Sequence, residues 1–312
     1  MIASGKIDSK QLVIAIMLFV FLTSFVFSQK AKLKPQPKPS IPVRSMIFAV
    51  TGDGTTIEPV VAISDGKLVD SSEHDETYKN KTFSDLYFKP GNKYSLVFGG
   101  VQSGTVNVIK SAIGECRGVS AEVSANSTRA KLKGFVMALA TNTPIKAKSP
   151  GVRRLPTANE RNEAERLVRA EFTKQKVPAA SLKQLRYHNL TAIDVDRDGK
   201  VELVGSFWIA PKPTDRATLF FIATQNVEGT YSFELSEFVN YTPENIMSGE
   251  AKDLDDGVYH ELLLDYLDYD GDGVAELFTT TQAFEGRNFS VYRREAGKWA
   301  KVRESYNYRC GY

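Results

Sequence analysis

One acidic pattern occurs twice in this chain and constrains it more than any other feature. Asp194-Val195-Asp196-Arg197-Asp198-Gly199-Lys200-Val201-Glu202-Leu203 and Asp268-Tyr269-Asp270-Gly271-Asp272-Gly273-Val274-Ala275-Glu276-Leu277 both read D-x-D-x-D-G-x-x-E-L. With an acidic residue at about one position in eight and Gly at about 7%, a single copy arises by chance about once in two hundred chains of this length. Two copies therefore mark a selected structure. Carboxylates at alternate positions of a tight loop turn their oxygens inward, Gly permits the bend, and the final Glu closes the shell.

Such a loop is an oxygen cage for a hard cation. Calcium takes about 6–8 oxygens in a flexible shell. Asp194, Asp196, Asp198, the Lys200 carbonyl and a bidentate Glu202 supply about that number, and so do Asp268, Asp270, Asp272, the Val274 carbonyl and Glu276. An EF-hand is excluded, because its loop needs Glu at the twelfth position and this chain has Gly205 and Thr279 there. The competing reading is a pair of Asp-Gly turns with solvated carboxylates. Crowding four carboxylates into nine residues without a counter-ion argues against it. By local charge, the second loop is expected to bind more tightly, since the first carries Arg197 and Lys200 among its carboxylates and the second has no positive residue.

At these residues the chain resembles the FG-GAP and VCBS repeat family, which builds the calcium-binding blades of integrin-like β-propellers. Ala210-Pro211 after the first copy echoes the family's closing dipeptide, while the opening Phe-Gly is missing near both copies. The resemblance implies a calcium loop between two strands in each copy, on the ten residues just named. Two copies cannot close a propeller of about 4–8 blades.

At the N-terminus, Lys6 and Lys10 precede an unbroken apolar and hydroxyl run from Leu12 to Phe27. The pattern is that of a signal peptide over residues 1–28. Lys30, Lys32, Lys34 and Lys38 on its far side oppose export of that flank, so an uncleaved membrane tether is the alternative. Either route places the protein outside the cytoplasm: secreted, periplasmic or on the cell surface. Residues 29–45, with four prolines and a basic excess, read as an extended linker.

Residues 46–148 read as short strands throughout, with hairpin signals at Ser64-Asp65-Gly66 and Gly99-Gly100, a strand at Lys131–Ala140 and no strong helix. A small β-sandwich or barrel is expected. Residues 149–156 read as a linker. Thr157 then opens one helix, with Glu160 completing a capping box and Ala164, Leu167, Val168 and Phe172 on one face. The rest of the 157–312 segment reads as an imperfect tandem of two four-stranded, propeller-blade-like units, each ordered strand, acidic loop, strand, strand, strand. The fold class is thus mainly β. Each unit is expected to have one apolar face, and stacking the two faces buries both.

Composition bounds function more than it identifies it. The 312 residues carry a net charge of +3, and no basic face with interleaved aromatics points to nucleic acid. Cys116 and Cys310 are the only cysteines; in an oxidising compartment they can bridge, and otherwise they are two thiols. No metalloprotease, nucleophile-elbow, P-loop or dinucleotide motif is present. His188 and His260 are isolated in sequence and read as structural. Two classes remain: a calcium-stabilised binding, adhesion or envelope-interaction module with a protein or glycan partner, and a metal-dependent hydrolase acting outside the cytoplasm. A closed shell of protein oxygens favours the first, because a catalytic ion needs an open position.

Overall fold

The computed structural model describes residues 43–71, 80–113, 118–146, 151–212, 215–242, 257–283 and 285–308. The segment Leu12–Phe27, the basic linker up to Pro42, and both Cys116 and Cys310 lie outside the described residues. Among the described residues no helix is long and apolar enough to cross a membrane.

The first part of the described chain is a barrel. Its strands are β1 (Ser45–Thr51), β2 (Thr56–Ser64), β3 (Lys67–Val69), β4 (Lys93–Val97), β5 (Gln102–Ile113), β6 (Val119–Asn126) and β7 (Ala138–Thr141). Antiparallel pairing runs β1-β7-β4-β5-β6-β2 and returns from β2 to β1, which closes six strands on themselves; β3 hangs on β2. The β2–β3 hairpin turns at Asp65 and Gly66, both with positive φ, as the Asp-Gly signal requires. Closure removes the unpaired edges that an open sheet of this size would expose.

Two local expectations for this segment are corrected. A helix, α1 (Asn80–Tyr87), is inserted before β4. It spans only two turns, too short for a periodic pattern to stand out, yet Phe83, Tyr87 and the following Phe88 form one aromatic cluster with Phe48 of β1 and Tyr94 of β4. The strand read at Lys131–Ala140 is mostly a turn, bridged from Lys133 to Val136, and only its end enters β7. Lys131, Lys133 and Gly134 dilute the apolar alternation that a strand needs.

The linker 149–156 is also not free chain where it is described. Arg153–Arg154 form β8, which pairs with Ile193 and Ala192 of β9 (Arg186–Ile193). The helix follows as α2 (Ala158–Lys174), with the full capping box: Glu160 N–H donates to Thr157 Oγ1 at 3.3 Å and Thr157 N–H to Glu160 Oε2 at 2.7 Å. Arg154 adds two hydrogen bonds to the same carboxylate at 2.7 and 2.8 Å, which hold Glu160 below the usual carboxylate range. Thr157→Ala is therefore expected to cost about 1 kcal/mol in equilibrium unfolding, the usual worth of such a cap.

Two antiparallel meanders complete the chain. The first is β9, β10 (Glu202–Lys212), β11 (Asp215–Gln225) and β12 (Tyr231–Tyr241); the second is β13 (Glu261–Leu267), β14 (Glu276–Ala283), β15 (Gly286–Glu295) and β16 (Lys298–Tyr308). In each, the acidic loop joins the first strand to the second.

Packing places these parts in four layers. On β11, Leu219, Phe221 and Ala223 face Ala164, Val168 and Phe172 of α2, while Phe220 and Ile222 face the second meander. In the second meander, Leu263, Leu277 and Tyr292 meet that surface. Its other face, with Leu262, Leu264, Phe278, Phe289 and Val291, packs on Ile47, Ala49, Val61 and Leu139 of the barrel. The order is helix, sheet, sheet, barrel. The two meanders stack as expected, but each has two apolar faces and not one. Continuous runs such as Leu219–Ala223 and Leu262–Leu264 follow from burial on both sides.

Candidate metal centre

Both acidic loops follow the same backbone path. Positive φ falls at their fourth and sixth positions, on Arg197 and Gly199 in the first and on Gly271 and Gly273 in the second. Three internal hydrogen bonds are also equivalent. Gly199 N–H donates to Asp194 Oδ2 at 3.2 Å, as Gly273 does to Asp268 Oδ2 at 3.2 Å. Asp198 N–H donates to Asp196 Oδ1 at 3.3 Å, as Asp272 does to Asp270 Oδ1 at 3.2 Å. Lys200 N–H donates to Asp198 Oδ1 at 2.7 Å, as Val274 does to Asp272 Oδ1 at 2.8 Å. The left-handed residues reverse the chain, and the alternate carboxylates collect the N–H groups that this reversal leaves without strand partners.

The result is two aspartate triads. Asp194, Asp196 and Asp198 each offer a carboxylate oxygen within 4.8 Å of the others, and so do Asp268, Asp270 and Asp272. Either triad can hold a metal ion. Glu202 and Glu276, read from the sequence as closing ligands, are not in these groups. They are buried at the start of β10 and β14, each engaged by an arginine of β15.

Those arginines were not visible from the motif. Arg294 donates to Asp196 Oδ2 and Glu202 Oε1, both at 2.8 Å. Arg293 donates to Asp270 Oδ2, and through Nε to Glu276 Oε1 at 2.9 Å. Consecutive strand residues leave opposite faces of the sheet. One strand thus supplies the same partner to both loops, binding the second Asp and the closing Glu in each. The only hint in the sequence is the Arg-Arg pair itself, about a hundred residues from the first loop. In addition, Lys146 Nζ donates to the Asp270 carbonyl at 3.0 Å. Tertiary cations therefore narrow the charge difference that Arg197 and Lys200 set up between the loops.

Two carboxylate oxygens test whether these loops suit an ion. Asp194 is 6% exposed and its Oδ1 has no hydrogen-bond partner; Glu276 is 1% exposed and its Oε2 has none. A buried anionic oxygen left without a donor costs free energy unless a cation or water completes it. Burial, with Asp196 and Asp198 adding to it, pushes the Asp194 carboxyl above its ordinary range. Burial pushes Glu202 and Glu276 up to about 7, against the pull of Arg294 and Arg293. The donor set is all oxygen, which suits a hard divalent ion.

The structure joins other residues that sequence reading left separate. His188 and His260 meet edge to face with ring centroids 4.3 Å apart, and His188 stacks on Trp208 at 5.3 Å. Phe135 packs against His188 at 4.7 Å, so the pair lies in an aromatic cluster. Beside it opens a mostly apolar cleft of about 330 Å³ between barrel, β8 and β9, lined by Phe98, Phe135, Val136, Leu155, Tyr187 and His188 among others. Leu155, Val136 and Tyr187 are exposed at this cleft.

The fold and the loops define a mainly β protein with two aspartate triads able to hold metal ions. No family model, curated protein or solved structure matches the chain.

Proposed function

We propose that this is an exported, calcium-binding β protein that acts as a binding, adhesion or envelope-interaction module, with calcium in a structural role. The observation that carries the reading is the loop built twice over: three aspartate oxygens within 4.8 Å of one another, with a buried carboxylate oxygen left without a partner in each half. Asp194, Asp196 and Asp198 hold one ion, and Asp268, Asp270 and Asp272 the other. The carbonyls of Lys200 and Val274 stand at the matching point of each loop to add a ligand. Glu202 and Glu276 act through their arginines or, on ion binding, join the shell. Calcium is preferred over magnesium because each loop offers several protein oxygens, whereas magnesium demands near-octahedral geometry and keeps its waters.

In this reading the two meanders correspond to blades of the FG-GAP and VCBS type, stacked face to face and not arrayed around an axis. The acidic loops hold the stack in register, and the cleft beside His188 is the surface offered to a protein or glycan partner. Export follows from the Leu12–Phe27 pattern, with cleavage giving a soluble form and retention a tethered one. The hydrolase alternative is less favoured, because a shell closed by protein oxygens leaves no open position for a catalytic ion's water or substrate.

The direct test is calorimetric titration of the whole chain with calcium. Two equivalents are expected to bind, and Asp198→Asn and Asp272→Asn are each expected to remove one. Absence of binding heat at any calcium concentration up to the millimolar range would defeat the reading.

A further inference from the structure

We infer that the two loops are coupled, so that an ion held in one raises the affinity of the other. This rests on the reading of both loops as cation sites. The loops touch through the main chain: Ala275 N–H, at the end of the second, donates to the Val195 carbonyl of the first at 2.9 Å. Val195 lies between the ligands Asp194 and Asp196, and Ala275 adjoins Glu276. Their side chains share one apolar cluster, with Val274 packed against it.

A second connection runs through β15. Arg294 reaches Asp196 and Glu202, and its neighbour Arg293 reaches Asp270 and Glu276. A shift of this strand that loosens one guanidinium from its carboxylates moves the other. A buried carboxylate oxygen without a hydrogen-bond partner sits at each end of this connection, Asp194 Oδ1 within the first triad and Glu276 Oε2 beside the second.

The sign follows from ordering. An ion between Asp194 and Asp196 fixes the Val195 peptide, and with it the acceptor for Ala275. The second loop then gives up less conformational freedom when its own ion arrives, and a site that pays less for ordering binds more tightly. Mutual repulsion of two divalent ions acts the other way. The two arginines, each placed with the carboxylates of one loop, and the solvent at the exposed Asp198 and Asp272 weaken it. Linkage makes the effect reciprocal: each ion changes the other's affinity by the same factor.

The test compares calcium affinities in the intact chain with those in Asp198→Asn and Asp272→Asn. Both positions are exposed, and Asn keeps the oxygen that accepts the Lys200 or Val274 N–H. In each variant the untouched loop is expected to bind about fivefold more weakly or worse, by the same factor in both directions. The second measurement needs no variant: in nuclear magnetic resonance titrations the Gly199 and Gly273 amides of the intact chain should report one shared transition. Separate midpoints for the two glycines, with unchanged or tighter binding at the untouched loop, overturn the coupling and leave two independent cation sites. A chain that shows neither heat nor amide shifts overturns the cation sites as well.

Discussion

Asp265→Ala is expected to lower the unfolding free energy by about 3–5 kcal/mol, the usual cost of stranding one member of a buried ion pair. Asp265 is fully buried and Arg153 is 7% exposed, with 2.9 Å between Oδ1 and Nη1. Asp265 Oδ2 also accepts the Gly99 N–H at 2.8 Å. Arg153 donates to the carbonyls of Leu264 at 2.9 Å and Met137 at 3.1 Å, and stacks over Phe98. The pair thus ties the barrel, β8 and β13 together at one point. Alanine leaves a guanidinium there with no counter-charge and a Gly99 N–H with no acceptor. Equilibrium denaturation of the single variant measures the cost; a loss under about 1 kcal/mol would mean that water replaces the carboxylate. The paired replacement Asp265→Leu with Arg153→Met should recover much of it, because an apolar pair strands no charge.

The same residue has a pH signature. Burial pushes Asp265 up to about 6, with Arg153 opposing, against an ordinary value of 3.8. A folded-state value above the unfolded one means that the folded protein holds the proton more firmly. This group's contribution is therefore full below the unfolded value and is lost as pH rises through about 6. The stability advantage of the native chain over Asp265→Asn should accordingly be larger at pH 5 than at pH 7.

Calcium should raise the melting temperature of the whole chain, and chelator should reverse the rise. An ion that binds only the folded state adds about 2.7 kcal/mol at a hundredfold excess over its dissociation constant, so two sites add about 5 kcal/mol. The whole described fold should respond, and not the last two sheets alone, because the barrel residues Ile47, Ala49 and Val61 pack on the outer face of the second meander. The control is the chain carrying both Asp198→Asn and Asp272→Asn, in which calcium and chelator should give the same midpoint. Equal midpoints in the unaltered chain would remove the metal assignment.

What could be read from the residues alone is local. The D-x-D-x-D-G loops, the Asp65-Gly66 hairpin, the Thr157 capping box and the strand-loop-strand order of the two meanders were all legible. Each depends on backbone conformation over a few residues and on side chains that reach only neighbouring N–H groups. Every feature that needs two distant segments to meet came from the folded chain. Folding closed the first strands into a barrel, inserted α1 against Phe48, and covered both faces of each meander where one buried face was expected. It also set Arg293 and Arg294 on the acidic loops, Arg153 on Asp265, and His188 on His260. No short-range pattern encodes these contacts. An arginine reads as a solvated surface residue until the fold shows which buried carboxylate lies opposite it, and an apolar run reads alike whether one face of its sheet is covered or two.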